Sequence, residues 1–351
     1  MVKRQTKIWH TDQQNWKNDL SEAAAALQKG ELVAFPTETV YGLGADARNT
    51  EAVKAIFEAK GRPSDNPLIV HIAHRDQLKL FVDSQTHLAE ALMDTFWPGP
   101  LTIILPVKTA ALSPLVTAGL PTVAVRMPSH PVALELIASS QCPIAAPSAN
   151  RSGRPSPTKA KHVAEDLNGT IAGIVDGGAT GVGLESTVVE IVNEDTIRIL
   201  RPGGVTSKAL QAAFPDSKVI MEQEHNTEAP RSPGMKYTHY APQGKLSIVS
   251  GDTQQVIRFI NEQIHEQAIK YRIGVLTFDE HIEKYDQQAT LISLGSITRL
   301  EQAAARLYDA LRQFDELKIE YIWSEAVPAH DIGEALMNRL LKAAGHNVIS
   351  V

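Results

Sequence analysis

Along the first two-thirds of the chain, short apolar runs rich in Val and Ile alternate with segments of helical period, and this alternation restricts the fold to an α/β class. Strands are expected at 31–36, 68–73, 101–107, 122–127, 143–146, 171–176, 186–192 and 196–201, most of them bounded by Gly, Pro, Asn or Asp. Helices are expected at 19–29, 51–59, 85–96, 131–139 and 158–167, with Gly30 placed as a C-cap and Thr50 as an N-cap. The last three strands follow one another with no helix between them, which predicts a mixed sheet.

Past residue 215 the pattern breaks. The stretch 221–243 is polar, holds Pro230, Pro233, Gly234 and Pro242, and has no apolar period, so it reads as a linker. Strand patterns resume at 246–250, 272–277, 290–294 and 320–323, with helical stretches at 253–270, 298–315 and 333–344, as in a small parallel βα domain. The expected division is a first domain over 1–215, a linker over 216–244 and a second domain over 245–351. A length of 351 residues suits two domains.

Composition excludes several classes. One cysteine, Cys142, rules out a disulfide framework and a Cys-based zinc site, and fits a reducing compartment. A net charge of −6 and 5% aromatics argue against an RNA-binding module, even with a basic loop at 151–161. No run of 18 apolar residues is present, and no apolar stretch follows Lys3, Arg4 and Lys7, so a cytoplasmic protein without a membrane span is expected.

Motif searches narrow the chemistry further. The Gly-rich stretch 177–183 has no lysine after it, so a Walker-type phosphate loop is absent, and Ser186 breaks a dinucleotide fingerprint there. In the second domain Gly251 is followed by Asp252 and Thr253, so its first strand carries no fingerprint either. Neither G-x-S-x-G nor H-E-x-x-H occurs. His71 and His74 straddle a strand end without a carboxylate set, which favours one buried and one surface imidazole over a metal pair. No metal site made of protein side chains alone is expected.

Polar strand ends carry the positive signal. The segment 35–44 (Phe-Pro-Thr-Glu-Thr-Val-Tyr-Gly-Leu-Gly) leaves a strand for a turn with two hydroxyls, a carboxylate and two glycines; a bare strand end with Thr37 capping the turn is the plainer alternative. Lys60, Arg62 and Asn66 lie in a Pro-rigidified loop suited to an anion, or to a helix dipole. Arg126 ends an apolar run, either to grip a carboxylate or as a surface arginine with a buried stem. The 145–153 segment runs into Ser148, Asn150 and Ser152, and residues 183–187 and 201–204 add two more polar ends. Gathered on one sheet, these loops would form a single polar, partly cationic pocket.

The motifs at 35–44, Lys-Gly-Arg-Pro at 60–63, Pro-Ser-Ala-Asn at 147–150 and Glu-Ser-Thr-Val at 185–188 closely resemble the YrdC-like domain. The Ser-Pro-Gly-Met-Lys-Tyr-Thr-His-Tyr-Ala-Pro segment at 232–242 resembles the linker of the two-domain threonylcarbamoyl-AMP synthases, which carry a C-terminal Sua-type domain. A carbamoyl-adenylate enzyme of hydrogenase maturation shares the first domain, but also needs zinc-finger cysteines that this chain lacks.

The resemblance implies a twisted mixed α/β sheet followed by a small Rossmann-like parallel domain. It implies synthesis of L-threonylcarbamoyl adenylate from L-threonine, bicarbonate or CO2, and ATP, with Mg²⁺ carried on the ATP phosphates. The product would pass to a threonylcarbamoyl-transferase that modifies adenosine 37 of tRNA, so tRNA is an indirect partner. Carried over by position, threonine would meet Thr39, His71, Arg126, the backbone at Ala146, and Ser186. ATP would meet Arg62, Asn66, Thr122, Ser148, Ser156, Arg201 and Tyr240, with His239 an alternative to Tyr240. Lys60 and Arg62 would neutralise charge developing at phosphorus. The linker is expected to close over the pocket as a lid, and the C-terminal domain to act as a scaffold for the linker or as a docking surface.

Overall fold

The computed structural model describes residues 5–12, 16–222 and 240–351. These fall into two compact units: one runs to 222 without Gly153–Pro155, and the other holds Gly153–Pro155 with 240–351.

The strands of the first unit are β1 (Lys7–His10), β2 (Val33–Phe35), β3 (Gly42–Asp46), β4 (Ile69–His71), β5 (Leu101–Pro106) and β6 (Thr122–Arg126). They continue with β7 (Ile144–Ala145), β8 (Gly173–Asp176), β9 (Thr187–Asn193), β10 (Thr196–Arg201) and β11 (Lys218–Met221). Its helices are α1 (Trp16–Gln28), α2 (Thr50–Lys60), α3 (His87–Phe96), α4 (Pro114–Thr117), α5 (Pro131–Ser140), α6 (Ala160–Leu167) and α7 (Ser207–Ala213).

The strands form one mixed sheet in the order β1-β8-β2-β3-β7-β4-β6-β5-β9-β10-β11. One buried cluster sets Leu20, Leu27, Val33, Phe35, Leu136 and Ile137 together, joining α1 and α5 to the sheet. A second, larger one gathers Ile56, Phe57, Val70, Met93, Ile103, Val125 and Val163. Helix α2 shows why the local pattern works: Val53, Ile56 and Phe57 share its buried face. Gly61 closes it in the left-handed conformation at φ 60°, donating to Phe57 and Glu58.

Several expectations need correction. The N-cap of α2 is Asn49, whose side chain accepts from the Ala52 amide, and Thr50 is the first helical residue. The glycines at 42 and 44 open strand β3, leaving only 36–41 for the turn. A Cβ at Gly44 would stand 2.8 Å from both the Ile144 and Phe35 side chains, so close strand packing is what requires glycine there. The sheet also runs past the expected linker start at 216, because β11 pairs parallel with β10. Residues 223–239, most of the expected linker and lid including His239, lie outside the described residues.

The second unit is a parallel sheet ordered β14-β13-β15-β12-β16. Its strands are β12 (Lys245–Ser250), β13 (Ile273–Thr277), β14 (Thr290–Ser293), β15 (Tyr321–Glu325) and β16 (Val348–Ser350). Helices α8 (Thr253–Gln267), α9 (Leu300–Glu316) and α10 (Ile332–Ala343) complete it, and every strand pair is parallel. Ile260, Ile264, Val275 and Trp323 lie in its core. Strand β16, Val-Ile-Ser, is an addition to the expected strands: it is only three residues long and depends on β12 for its pairing. Among the described residues no helix is long and apolar enough to cross a membrane.

Candidate active site

Strand register assembles the site. Strand β5 pairs antiparallel with β6, setting Thr102 opposite Arg126, and parallel with β9, setting Leu101 opposite Thr187. Ser186, just before β9, therefore reaches Thr102, with 2.7 Å between their hydroxyls. Arg201, at the end of β10, donates to the Ser186 carbonyl at 2.9 Å and to its hydroxyl at 3.2 Å.

Arg126 is buried, 3% exposed, which excludes a surface arginine with only its stem covered. Its Nε donates to the Gly99 carbonyl at 3.2 Å and its Nη1 to the Thr39 hydroxyl at 2.8 Å. Thr37 gives its hydroxyl proton to the Val40 carbonyl at 2.7 Å. The 2.8 Å contact between Thr37 and Thr39 must then carry the Thr39 proton, leaving Thr39 an acceptor toward Arg126. The third nitrogen of Arg126, Nη2, lies 2.5 Å from a Glu38 carboxylate oxygen.

His71 ends β4 level with Arg126 in the parallel register. Burial and the Arg126 charge push its pKa down to about 3, so it is a neutral hydrogen-bonding ring at ordinary pH. The unfolded imidazole binds a proton below about pH 6.5 and the folded one does not, so this ring costs stability as pH falls through that value. His71→Gln is expected to abolish a loss of about 2 kcal/mol between pH 6.5 and 5. Melting curves at the two pH values check this; an unchanged pH dependence in the variant would assign the acid sensitivity to another group. His74 is exposed, and among the described residues no group of three or more His, Cys, Asp or Glu could hold a metal ion.

A second set surrounds the loops after α2 and β7. The Lys60 ammonium, buried, donates to the carbonyls of Ser148 at 2.5 Å and Asn150 at 2.6 Å. The Ser148 hydroxyl donates to the Asn150 side-chain oxygen at 2.6 Å. Arg62 donates to the Asn66 carbonyl at 3.3 Å and lies over the Phe57 ring. Ser156 donates to Glu185 at 2.6 Å, and the Ala146 amide is bonded to the Ile69 carbonyl at 2.9 Å.

Thr122 begins β6 and Arg126 ends it, four residues on and about 13 Å along the strand. Tyr240 belongs to the second unit, where its ring stacks on Tyr308 at 5.2 Å and lies under Arg339 at 5.6 Å.

Buried polar atoms in proteins are nearly always hydrogen-bonded, and this region departs from that rule. Asn66 is fully buried, yet neither its amide nitrogen nor its oxygen has a partner. Both Glu38 carboxylate oxygens, Arg126 Nη2 and His130 Nδ1 are also buried without a hydrogen bond. Glu38 and Arg126 are thus adjacent charges that do not meet in hydrogen-bond geometry. Unused donors and acceptors of this kind are what a polar ligand would satisfy. The sequence quoted Glu38 and Glu185 within motifs but gave neither a role. Thr102, inside an apolar strand, and His130 gave no signal.

Comparison with known proteins fits this geometry. Residues 25–203 match the Sua5–YciO–YrdC family, described as telomere recombination, and residues 205–345 match the threonylcarbamoyl-AMP synthase C-terminal domain. A threonylcarbamoyl-AMP synthase of Bacillus subtilis is 53% identical over 98% of this chain and 99% of its own. One from Pyrococcus abyssi is 44% identical over 96% of this chain and 97% of its own. The crystal structure of Pyrococcus abyssi Sua5 complexed with L-threonine superposes with a TM-score of 0.90 at 42% identity, covering 99% of this chain and 100% of that one. Two matched domains in this order, with relatives spanning the whole length, place the chain among nucleotidyl-transferring enzymes: it belongs to the threonylcarbamoyl-AMP synthase family in its two-domain form.

Proposed function

We propose that this chain converts L-threonine, bicarbonate or CO2, and ATP into L-threonylcarbamoyl adenylate and pyrophosphate, to supply the modification of tRNA adenosine 37. The buried Arg126, braced by Thr39 and Gly99 and level with His71, carries the reading, because it is a fixed cation for a small carboxylate. The L-threonine complex of the Pyrococcus abyssi relative supports the choice of amino acid.

In this reading Arg126 holds the threonine carboxylate, while Thr39, His71, Ser186 and the Ala146 backbone shape the rest of its pocket. The unpaired Asn66 amide, with Arg62, Ser148, Ser156, Thr122 and Arg201, receives the nucleotide. Mg²⁺ arrives on the ATP phosphates. The neutral amine of threonine, its ammonium proton given up to solvent, forms a bond to the carbon of CO2 as one C–O π bond opens, and a second N–H proton passes to solvent, giving an N-carboxylate. An oxygen of that carboxylate attacks the α-phosphorus in line, the bond to the bridging oxygen breaks, and pyrophosphate leaves with its electron pair. No protein nucleophile takes part, so the work is positioning and charge neutralisation, and Lys60 contributes by fixing the 148–150 loop.

Purified protein incubated with ATP, Mg²⁺ and bicarbonate is expected to release pyrophosphate only when L-threonine is added, with a threonylcarbamoyl-adenylate mass in the spectrum. ATP binding without product, under conditions where a relative turns over, would overturn the proposal.

A further inference from the structure

We propose that Glu38 and Arg126 together form a receptor for the zwitterion of an α-amino acid, with Arg126 taking its carboxylate and Glu38 its ammonium. The inference rests on the function proposed above and assigns to Glu38 the selection of an amino acid over a plain acid.

Three observations carry it. First, the pair is withdrawn from solvent: the Arg126 side chain is 4% exposed and that of Glu38 14%. Second, Nε and one N–H of Nη1 are used by Gly99 and Thr39, while Nη2, the nitrogen beside Glu38, makes no hydrogen bond to the protein and is open to a ligand carboxylate. Third, both Glu38 oxygens lack a hydrogen-bond donor, although the backbone beneath them is fixed, with the carbonyls of Glu38 and Thr39 accepting from Val182 and Gly183. Among the described residues His130 also faces Glu38; burial pushes its pKa down, and a neutral ring does not balance a carboxylate.

Before ligand arrives, the two charges compensate one another. An α-amino acid carries a carboxylate and an ammonium on one carbon, so it can replace that pairing with two, one to each residue. A carboxylate without an amine can only take Arg126 and strand Glu38 as a buried, uncompensated charge, a penalty of about 100-fold or more in affinity. The arrangement therefore accepts amino acids and rejects hydroxy acids of the same shape.

Calorimetric titration of the full chain with L-threonine and with 3-hydroxybutanoate, the same skeleton without the amine, tests the idea in wild type, Glu38→Gln and Glu38→Asp. Wild type is expected to prefer threonine by about 100-fold or more. In Glu38→Gln threonine weakens about 10-fold while 3-hydroxybutanoate tightens, so the preference collapses; Glu38→Asp keeps much of it. A wild-type protein that binds both acids equally overturns the proposal whether or not the variants fold. So does a folded Glu38→Gln protein that keeps the wild-type ratio. Failure of wild type to bind threonine at all, with ATP present, would instead sink the functional reading on which this one stands.

Discussion

Replacing Arg126 with alanine is expected to lower kcat/KM for threonine by about 1,000-fold, roughly 4 kcal/mol of lost binding and orientation. The proposed charge-assisted contact to the threonine carboxylate goes, and so does the donor that fixes Thr39. Folding suffers too, because Glu38 is left buried without its cation, at a cost of about 3–5 kcal/mol. Adding Glu38→Gln to Arg126→Ala separates the two effects: the double variant should recover most of the melting temperature and none of the activity. Lysine is a poor substitute, since its donors all sit on one nitrogen, whereas Gly99 and Thr39 are bonded from two separate nitrogens of the planar fork. Steady-state kinetics in threonine with thermal melts on the three variants decide the matter. A wild-type KM for threonine in Arg126→Ala would move the carboxylate site elsewhere.

Lys60→Ala is expected to have the next largest effect, and on the other substrate. Its ammonium joins two carbonyls of the 148–150 loop, and removing it leaves both without that donor. Losing charge-assisted bonds of this kind costs about 2–4 kcal/mol of stability. The loop that presents Ser148 would loosen, so turnover should fall about 100-fold with a raised KM for ATP, while threonine binding without ATP changes little. Arginine should not rescue it, because a planar fork cannot converge on two backbone oxygens as an ammonium does. A lower melting temperature with unchanged KM for ATP and unchanged kcat would confine Lys60 to a purely structural role.

The parts of this fold that sequence reveals are those written locally. The apolar runs at 101–107 and 196–201 become β5 and β10 with bounds shifted by at most one residue, because Val and Ile patterns and flanking turn residues act over short range. Strand β1 was invisible: four residues, half-exposed, depend on β8 for their pairing. The glycines of β3 looked like turn residues because what demands them, the side chains of Phe35 and Ile144, is nonlocal. The site shows the same divide. Arg126, His71 and Ser186 stood at recognisable strand ends, whereas the partnership of Thr102 with Ser186 depends on the β5–β9 register, which no local pattern encodes. Glu38 was in plain view within its motif, but its lack of hydrogen-bond donors is a property of the folded pocket.

The strand order also bears on how the enzyme can be made. Strand β8 sits between β1 and β2, β7 between β3 and β4, and β6 between β4 and β5. A chain emerging from the ribosome therefore cannot zip its sheet from the N-terminus, since β1 has no neighbour until residues 173–176 have been synthesised. Thr102, opposite Arg126 in the β5–β6 register, gains Ser186 as a partner, and Ser186 gains Arg201, only after β9 and β10 join β5 and one another. Nascent chains that stop short of about 200 residues hold exposed strand edges and no complete pocket, which makes them candidates for chaperone capture.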